Sequence, residues 1–190
     1  MARSGQVYND LNPVLIADRS RAKRIFSEYN QTGDADSEKR RRLLDSLFEK
    51  CGKNPVIEPN FKCEFGYNII IGDNFFANFD CVILDCAAVT IGNNVLFGPR
   101  VGLYCANHVF DPAERAAGGC FAAPITIGDN VWIGGGVHVT PGVTIGEGSI
   151  IGAGSVVTKS VPEGVVAAGN PCRVLRKITG QDKTGFTAGL

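Results

Sequence analysis

The sequence lacks several features that would point to common classes of function. Its 190 residues include 19 basic and 19 acidic side chains, so no net charge attracts nucleic acid or an anionic membrane. No apolar run approaches the roughly 20 residues that span a bilayer. The first ten residues, MARSGQVYND, contain no apolar segment of a secretory signal. We therefore expect a cytoplasmic protein that binds neither nucleic acid nor membrane.

Metal-binding patterns are also missing. The seven cysteines include no C-x-x-C pair, which argues against a structural zinc site. His108 and His138 are the only histidines, whereas an open zinc site needs about three imidazoles. A nucleophile elbow and a P-loop are absent. We expect no metal, and cysteines that act as small buried apolar residues in a reducing compartment. A catalytic thiol is the alternative, but no cysteine is set apart by its neighbours.

What the sequence does contain is a six-residue repeat. Every sixth residue from Ile91 is large and apolar, with an interruption after Leu103: Ile91, Phe97, Leu103, Ile127, Ile133, Val139, Ile145, Ile151 and Val157. The next position is mostly glycine: Gly92, Gly98, Gly128, Gly134, Gly146 and Gly152. A hexapeptide repeat predicts an all-β fold, a parallel β-helix in which three hexads make one triangular coil. The period alone does not give the handedness.

The repeat also makes predictions about corners and phase. Glycine suits a corner that needs unusual φ. The polar residue that directly follows the glycine is expected to adopt the left-handed conformation, as at Asp73, Asn93 and Asp129. Upstream of Ile91 the six-residue spacing continues through Phe65, Ile71, Ala77 and Ile83. Two additional residues then separate Ile83 from Ile91. Glycine and asparagine at these places are therefore expected to serve backbone conformation.

The chain divides into three regions. Residues 1–55 form an N-terminal helical segment, 56–178 the β-helix with a C-terminal cap, and 179–190 a tail. Within the first region the apolar spacing predicts one helix over 17–30 and a second over 37–51.

Specific residues are expected to begin and end these elements. Asp18 is the expected N-cap of the first helix, and Gly52 closes the second. The helices and the segment 162–178 would cover the open ends of the solenoid. Where the repeat is interrupted, the sequence predicts an extruded loop over 104–124, and long loops in compact domains are usually functional.

Two features suggest chemistry. His108 lies in the extruded loop beside Asn107, where an imidazole would act as a general base near neutral pH; an ordinary exposed loop histidine is the alternative. His138 is expected to be an exposed strand residue. Beyond residue 158 the basic side chains Lys159, Arg173, Arg176, Lys177 and Lys183 indicate a local anionic ligand.

Several motifs together resemble one family. These are ITIGDNVWIGGGVHVTPGVTIG at 125–146, GAGSVVTK at 152–159, VAAGNPCRVLR at 166–176, NFFANFD at 74–80 and NHVFDPAER at 107–115. They strongly resemble the maltose and galactoside O-acetyltransferases, over about residues 7–180. The resemblance implies a left-handed parallel β-helix that forms homotrimers with active sites between subunits. It also implies transfer of acetyl from acetyl-CoA to a sugar hydroxyl.

The resemblance implies roles for individual residues. His108 takes the position of the catalytic base, and Asn78 that of a residue orienting the base or the nucleophile. A backbone N–H around Gly135 would stabilise the oxyanion. The acceptor-side positions are Asp10, Arg19, Glu64, Phe76 and Asp85.

The acetyl-CoA side is implied in the same way. Ala153, Thr158 and Lys159 would lie along the pantetheine arm and nucleotide, and Arg173 and Arg176 would meet the phosphates. Trp132 falls near the acyl site in the family, and its other interpretation is a partly buried aromatic on the outer face of the coil.

Departures from the family pattern concern the acceptor. Phe76 stands where some members have tyrosine, Cys120 where others have a larger or acidic residue, and Cys86 replaces an aspartate in one alignment. The acceptor therefore stays open between maltose- or glucose-like sugars, galactosides, and a non-sugar hydroxylated compound such as a xenobiotic. A non-catalytic β-helix that serves as a binding module is the alternative of a different class.

Overall fold

The N-terminal segment folds as two helices. A computed structural model describes residues 6–186, in which α1 spans Pro13–Gln31 and α2 spans Ser37–Leu47. The predicted N-cap of the first helix is wrong: the side chain of Asn12 accepts the N–H of Val14 at 2.9 Å, and Pro13 occupies the first turn. Asp18 therefore lies one turn inside α1.

The second helix is shorter than predicted. It ends at Leu47 because Phe48 turns to an extended conformation and packs edge-on against Phe61, with 5.8 Å between ring centroids. Lys50–Cys51 then forms a strand, so Gly52 does not close the helix.

Short strands make up the rest of the described chain. They are β1 Tyr8–Asn9, β2 Lys50–Cys51, β3 Val56–Ile57, β4 Lys62–Cys63, β5 Ile69–Ile71, β6 Phe76–Ala77, β7 Val82–Leu84, β8 Val89–Ile91, β9 Leu96–Phe97, β10 Gly102–Tyr104, β11 Ala106–His108, β12 Gly119–Ala122, β13 Ile125–Ile127, β14 Trp132–Ile133, β15 His138–Val139, β16 Thr144–Ile145, β17 Ile150–Ile151, β18 Val156–Val157, β19 Val165–Ala168 and β20 Arg173–Lys177. A third helix, α3, spans Pro112–Ala116.

The strands form the three faces of a triangular prism, which confirms the predicted parallel β-helix. Face I holds β2, β5, β8, β13 and β16; face II holds β3, β6, β9, β14, β17 and β19; face III holds β4, β7, β10, β15 and β18. Each corner between two faces is called here edge I–II, II–III or III–I. The chain visits the faces in the order I, II, III, so each coil contributes one strand to each face.

The large apolar residues stack inside the prism. On face I, Ile71, Ile91, Ile127 and Ile145 pair in register, and each is at most 1% exposed. One member of the predicted stack is wrong, because Cys63 and not Phe65 pairs with Ile83. The early coils contain 20 residues, since Cys51 pairs with Ile71 and Ile71 with Ile91. The two additional residues fall at edge III–I, where Phe65 stacks on Tyr67.

The corners use glycine and asparagine differently from the prediction. None of the repeat glycines has a positive φ. They are required by close approach instead: a Cβ on Gly92 would lie 2.7 Å from the backbone nitrogen of Asp129 on the next coil. The left-handed conformation falls two residues after each glycine, at Asn74, Asn94 and Asn130 on edge I–II.

Hydrogen bonds between side chains join these corners from coil to coil. Asn54 donates to Asn74 at 3.1 Å, Asn74 to Asn94 at 3.0 Å and Asn94 to Asn130 at 3.1 Å. Beside this ladder, the Asp129 carboxylate accepts the backbone N–H of Asn93 at 2.7 Å. The polar residue after each glycine therefore links coils, and the asparagine that follows supplies the left-handed turn.

The two helices cover the first coil. Asn30 on α1 donates to the carbonyl of Phe61 at 2.8 Å and accepts its N–H at 3.2 Å, as a neighbouring strand would. Arg41 on α2 donates to the carbonyls of Cys51 and Gly52. The open strand edge is thereby satisfied, as the predicted capping role requires. At the other end, β19 still belongs to the parallel stack of face II, and β20 pairs with it in antiparallel.

The extruded segment is a structured hairpin. After β10 the chain forms β11, α3 and β12, and β11 and β12 pair in antiparallel with His108 opposite Cys120. The N-terminal strand β1 joins on the other side of β12, with Tyr8 opposite Cys120. The hairpin is thus held between the coil and the N-terminal segment.

We expect Gly92→Ala to destabilise the folded state by about 1–3 kcal/mol, because the new Cβ overlaps the backbone of the next coil. Urea unfolding at fixed protein concentration measures the change. Gly33→Ala is the matched control: no heavy atom lies within 4 Å of its added Cβ, and the effect should stay within about 0.5 kcal/mol. Equal stability of the Gly92 variant and the wild type would contradict the close-approach explanation.

Candidate active site

A cavity of about 500 Å³ lies at edge III–I, where the hairpin leaves the coil. It brings together three residues expected in the site, Asp10, Glu64 and His108. The complete lining is Asp10, Glu64, Leu84, Cys86, Tyr104, Ala106, Asn107, His108, Cys120, Thr140 and Pro141. The N-terminal segment, four coils and the hairpin all contribute to it.

The repeat itself explains part of this lining. Leu84, Tyr104 and Thr140 each directly follow an inward-facing residue of face III. The strands β7, β10 and β15, to which those inward-facing residues belong, are stacked in register. They therefore occupy the same corner position in successive coils. Tyr104 and Thr140 were not among the expected site residues, although their position in the hexad is a signal that could have identified them.

Arg19 holds the two carboxylates of the cavity in place. Its guanidinium forms ion pairs with Asp10 and Glu64 and donates to the carbonyl of Asp10 at 2.9 Å. Although burial opposes its charge, the hydrogen bonds and charges of Glu64 and Asp10 raise the pKa of Arg19. Arg19 itself is not a lining residue, so it positions the carboxylates from behind.

His108 is exposed and makes a contact with a buried thiol. Its Nδ1 lies 3.0 Å from the Sγ of Cys120, a consequence of their direct pairing across β11 and β12. Cys120 is only 3% exposed. The ring of His108 is thereby fixed at the rim of the cavity, with one nitrogen facing the sulfur.

The second histidine is an exposed residue of β15, as expected, but it has a partner. Tyr104 Oη lies 3.1 Å from His138 Nδ1, and the two rings stack with centroids 5.6 Å apart. The Tyr104 hydroxyl also lies over Gly102, where a Cβ would approach it to 2.2 Å. This arrangement fixes the Tyr104 ring in the cavity wall.

Asp85 does not meet the expectation of a direct contact with the acceptor. Its side chain is fully buried, and its carboxylate accepts the N–H groups of Glu64 at 3.0 Å, Phe65 at 2.9 Å and Asn68 at 3.3 Å. Burial raises the pKa of Asp85 to about 6, against the opposing effect of these hydrogen bonds. Asp85 thus organises the corner that presents Glu64.

Other expected site residues lie at a different edge of the prism. Asn78, Gly135 and Ala153 are at edge II–III, where Asn78 accepts the N–H of Phe79 at 2.8 Å. Within residues 6–186 no backbone carbonyl accepts the N–H of Gly135 or Ala153. Edge II–III lies on one side of face III, and the hairpin that carries His108 leaves the coil on the other side, at edge III–I. The structure therefore does not bring these residues to His108 within one chain.

Two aromatic residues lie on the outer surface of face II. Phe76 and Trp132 belong to β6 and β14, and each is a register partner of Leu96 on β9. Trp132 is 51% exposed, which agrees with an aromatic on the outer face. Both residues lie outside the cavity that His108 lines.

The basic residues are divided between two places. Thr158 and Lys159 follow β18 at edge III–I, on the same corner as Thr140 and Pro141, and both are exposed. Arg173 and Arg176 lie on β20, beside face II. Arg176 forms a two-pronged ion pair with Asp182 at 2.8 and 2.9 Å, which lowers the pKa of Asp182 to about 2.

A second cavity, of about 260 Å³, lies between α2 and the first coil. Its arginines already have partners: Arg40 donates to the carbonyls of Thr32 and Ile57, and Arg41 to those of Cys51 and Gly52. These contacts hold the cap in place, so the cavity beside His108 is the better candidate for chemistry.

Within residues 6–186, no cluster of three or more His, Cys, Asp or Glu side chains is arranged to hold a metal ion. No helix in that part of the chain has the length and apolar character needed to cross a bilayer.

Two family models match the chain. Residues 2–52 match the maltose acetyltransferase hexapeptide capping motif, which is the segment of α1 and α2. Residues 124–159 match the bacterial transferase hexapeptide repeat, which covers the later coils.

Individual proteins are similar over nearly the whole chain. The galactoside O-acetyltransferase of Escherichia coli is 46% identical over 95% of this chain and 89% of its own. The crystal structure of a maltose O-acetyltransferase from Clostridium difficile superposes with a TM-score of 0.90 at 47% identity, over 93% of this chain and 94% of the other. A galactoside acetyltransferase in complex with coenzyme A gives 0.91 at 45% identity, over 95% and 90%.

We expect Asp85→Asn to destabilise the folded state by about 1–3 kcal/mol, because the amide nitrogen that takes the place of Oδ2 cannot accept the backbone N–H of Asn68. The pKa of about 6 lies above the unfolded value near 3.9. Asp85 therefore stabilises the folded state most when it is protonated, and this contribution declines as pH rises from about 4 to about 6. The penalty should be larger at about pH 4.5 than at about pH 7.

Urea unfolding of both proteins at the two pH values measures this difference. Asp34→Asn, on an exposed loop and 3.3 Å from Arg40, is the control, and it should change stability by less than about 1 kcal/mol. A penalty that grows toward pH 7 would show that the corner favours the ionised carboxylate.

Proposed function

Because the chain belongs to the maltose and galactoside O-acetyltransferase family of hexapeptide-repeat acyltransferases, we propose that it transfers acetyl from acetyl-CoA to a sugar hydroxyl with His108 as the general base. The family establishes acetyl-CoA-dependent O-acetyl transfer; the sugar and the base are the proposal. The observation that carries it is one cavity that places an exposed imidazole beside two fixed carboxylates. This combination suits an acceptor with several hydroxyl groups, one of which must lose a proton.

The reaction needs one proton acceptor and one site for negative charge. As the acceptor oxygen attacks the thioester carbonyl, His108 removes its proton, and a tetrahedral intermediate forms. When the intermediate collapses, the carbon–sulfur bond breaks and the imidazolium returns the proton to the CoA sulfur. A positioned base of this kind contributes about 10²–10⁴ to the rate.

The acceptor side is formed by the cavity at edge III–I. The carboxylates of Asp10 and Glu64 accept hydrogen bonds from sugar hydroxyls, and Arg19 fixes both before the sugar arrives. Such preorganisation reduces the entropy lost on binding. A volume of about 500 Å³ lies within the range of small-molecule sites. Tyr104 supplies an aromatic wall against which the apolar face of a sugar ring packs.

The donor side would use residues from edges II–III and III–I and from β20. The N–H of Gly135 has no backbone acceptor among residues 6–186, which suits it to stabilising the oxyanion. Ala153, Thr158 and Lys159 would lie along the pantetheine arm, and Arg173 would bind phosphate. Arg176 would join it if Asp182, its ion-pair partner, gave up the guanidinium.

We also propose that the protein is a homotrimer with sites between subunits. The acceptor cavity and Asn78 lie at different edges of one prism, so a second copy is needed to complete the site. The outer surface of face II supports this proposal, because an apolar column runs along it through register partners in Val56, Phe76, Leu96, Trp132, Ile150 and Val166. Such a column is typical of a surface that another chain covers.

A non-sugar acceptor is the second candidate, and the cavity wall favours it in one respect. Leu84, Cys86, Tyr104 and Pro141 make part of the lining apolar, and burial raises the pKa of the Cys86 thiol to about 12, which keeps it neutral. A hydroxylated compound with an apolar body would fit this wall. All seven cysteines are free thiols, which suits the proposed cytoplasmic location.

We expect His108→Ala to lower kcat/KM by about 10²–10⁴, because the acceptor proton then has no base. The assay measures free CoA released from acetyl-CoA over a panel of mono-, di- and thio-sugars and non-sugar alcohols. His138→Ala removes the other imidazole, and its loss should stay below about tenfold because it contacts the cavity only through Tyr104. If the His108 variant keeps most of the activity, another group is the base.

The trimer proposal is tested by mixing two inactive variants. His108→Ala and Asn78→Ala subunits are co-expressed in equal amounts and assayed as mixed trimers. Suppose that each site takes His108 from one chain and Asn78 from its neighbour. Each of these two residues is then intact in about half of the sites, so about one quarter of the sites have both and are active. Activity no higher than the mean of the two pure variants would place both residues on one chain.

A further inference from the structure

We propose that Cys120 is a positioning residue for His108: its sulfur accepts the Nδ1–H of the imidazole and leaves Nε2 without a proton, free to act as the base. The catalytic part of this inference rests on the proposed function of His108. The contact itself and the measurement of the tautomer do not depend on it.

The hairpin register makes the contact unavoidable. His108 and Cys120 are directly opposite on β11 and β12, where side chains on one face of an antiparallel pair lie about 5 Å apart at Cβ. The observed Nδ1–Sγ distance of 3.0 Å is within hydrogen-bonding range for sulfur. No second hydrogen bond to the His108 ring is found among residues 6–186, so this contact alone orients it.

The sulfur is held from its other side. Cys120 lies between His108 and Tyr8, which is its partner on β1, and both Cys120 and Tyr8 are buried. The three side chains form a row across the small antiparallel sheet. The thiol is therefore confined by packing, as a residue that fixes the orientation of another must be.

Proton placement decides what this contact does. Burial raises the pKa of the Cys120 thiol, with Asp10 adding to the effect, so the thiol stays neutral near pH 7. If the thiol donated to Nδ1, the neutral ring would carry its proton on Nε2 and present a donor to the acceptor hydroxyl. If Nδ1–H donates to sulfur, Nε2 presents a lone pair. Only the second arrangement gives a base.

The same arrangement also suits the protonated state. Once Nε2 has taken the acceptor proton, the imidazolium donates from both nitrogens, and Nδ1–H already points at the sulfur. The ring needs no rotation between the two steps. Sulfur is a weak acceptor, so the contact orients the ring more than it stabilises the charge.

The tautomer is measured directly by nitrogen NMR. Because the chain has only two histidines, ¹⁵N-histidine labelling gives two imidazole spin systems, and His108→Ala assigns them. In spectra recorded at about pH 8.5, the neutral ring of wild-type His108 should be mainly the Nδ1–H form. In Cys120→Ala it should revert to mainly Nε2–H, while His138 stays unchanged. Cys172→Ala, which removes a buried thiol on the C-terminal side, should leave His108 unchanged.

Kinetics provide the second measurement. Cys120→Ala should lower kcat about three- to tenfold, the loss expected for one hydrogen bond, with KM for acetyl-CoA changed less than about twofold. Cys120→Ser offers an oxygen in place of sulfur, so it should retain the Nδ1–H form and most of kcat. The serine variant keeps the test valid if the alanine variant fails to fold.

The outcomes separate this inference from the proposed function. A wild-type His108 that is mainly Nε2–H, or a tautomer unaffected by Cys120→Ala, would overturn the positioning role even if His108→Ala is inactive. An unchanged kcat in Cys120→Ala would do the same. An active His108→Ala variant would instead remove the base assignment and leave the measured tautomer as support for the contact.

Discussion

Every corner of this prism must fit against its own copy one coil away, at the spacing of neighbouring strands, about 4.8 Å. This constraint explains two residue choices. Where coils approach most closely, only glycine fits, as the overlap expected for a Cβ on Gly92 shows. Where the chain turns with positive φ, asparagine adopts the left-handed region and its amide bonds to its copies above and below. The corners thereby set the register of the apolar stack.

The same constraint explains how far the fold could be predicted from the sequence. The six-residue period predicted the inward stack and the parallel coil, because a residue that stacks on its copy must recur at a fixed interval. It did not separate Cys63 from Phe65, since both are apolar and the two additional residues of the early coils disturb the count. The left-handed position was also misplaced by one residue, at the residue directly after each glycine instead of the asparagine that follows it. The glycines were assigned to unusual φ and not to close approach, because both requirements select the same residue type in the sequence.

The site was predicted mainly from motifs, and its spatial arrangement was not. His108, Asp10 and Glu64 were expected in the site and line one cavity. Asp85 was expected to touch the acceptor but is buried, because sequence does not distinguish a carboxylate that binds a ligand from one that binds backbone N–H groups. Tyr104 and Thr140 were missed although the hexad numbering places them on one corner. Asn78 lies at edge II–III, because it follows β6 on face II and the chain goes next to face III.

The regular corners explain why the candidate site lies where it does. The corner asparagines of edge I–II bond to their copies in the neighbouring coils, so their amide groups serve the structure. Edge III–I escapes this limit, because the early coils carry two additional residues there and the hairpin inserts after β10. The inserted backbone needs its own support. Asp85 supports the corner that contains Glu64, by accepting backbone N–H groups there. Tyr8 and Cys120 support His108 through the small antiparallel sheet. Glu64 and His108 thus lie where the repeat is broken, and the residues beneath them take over the support that the ladder gives at edge I–II.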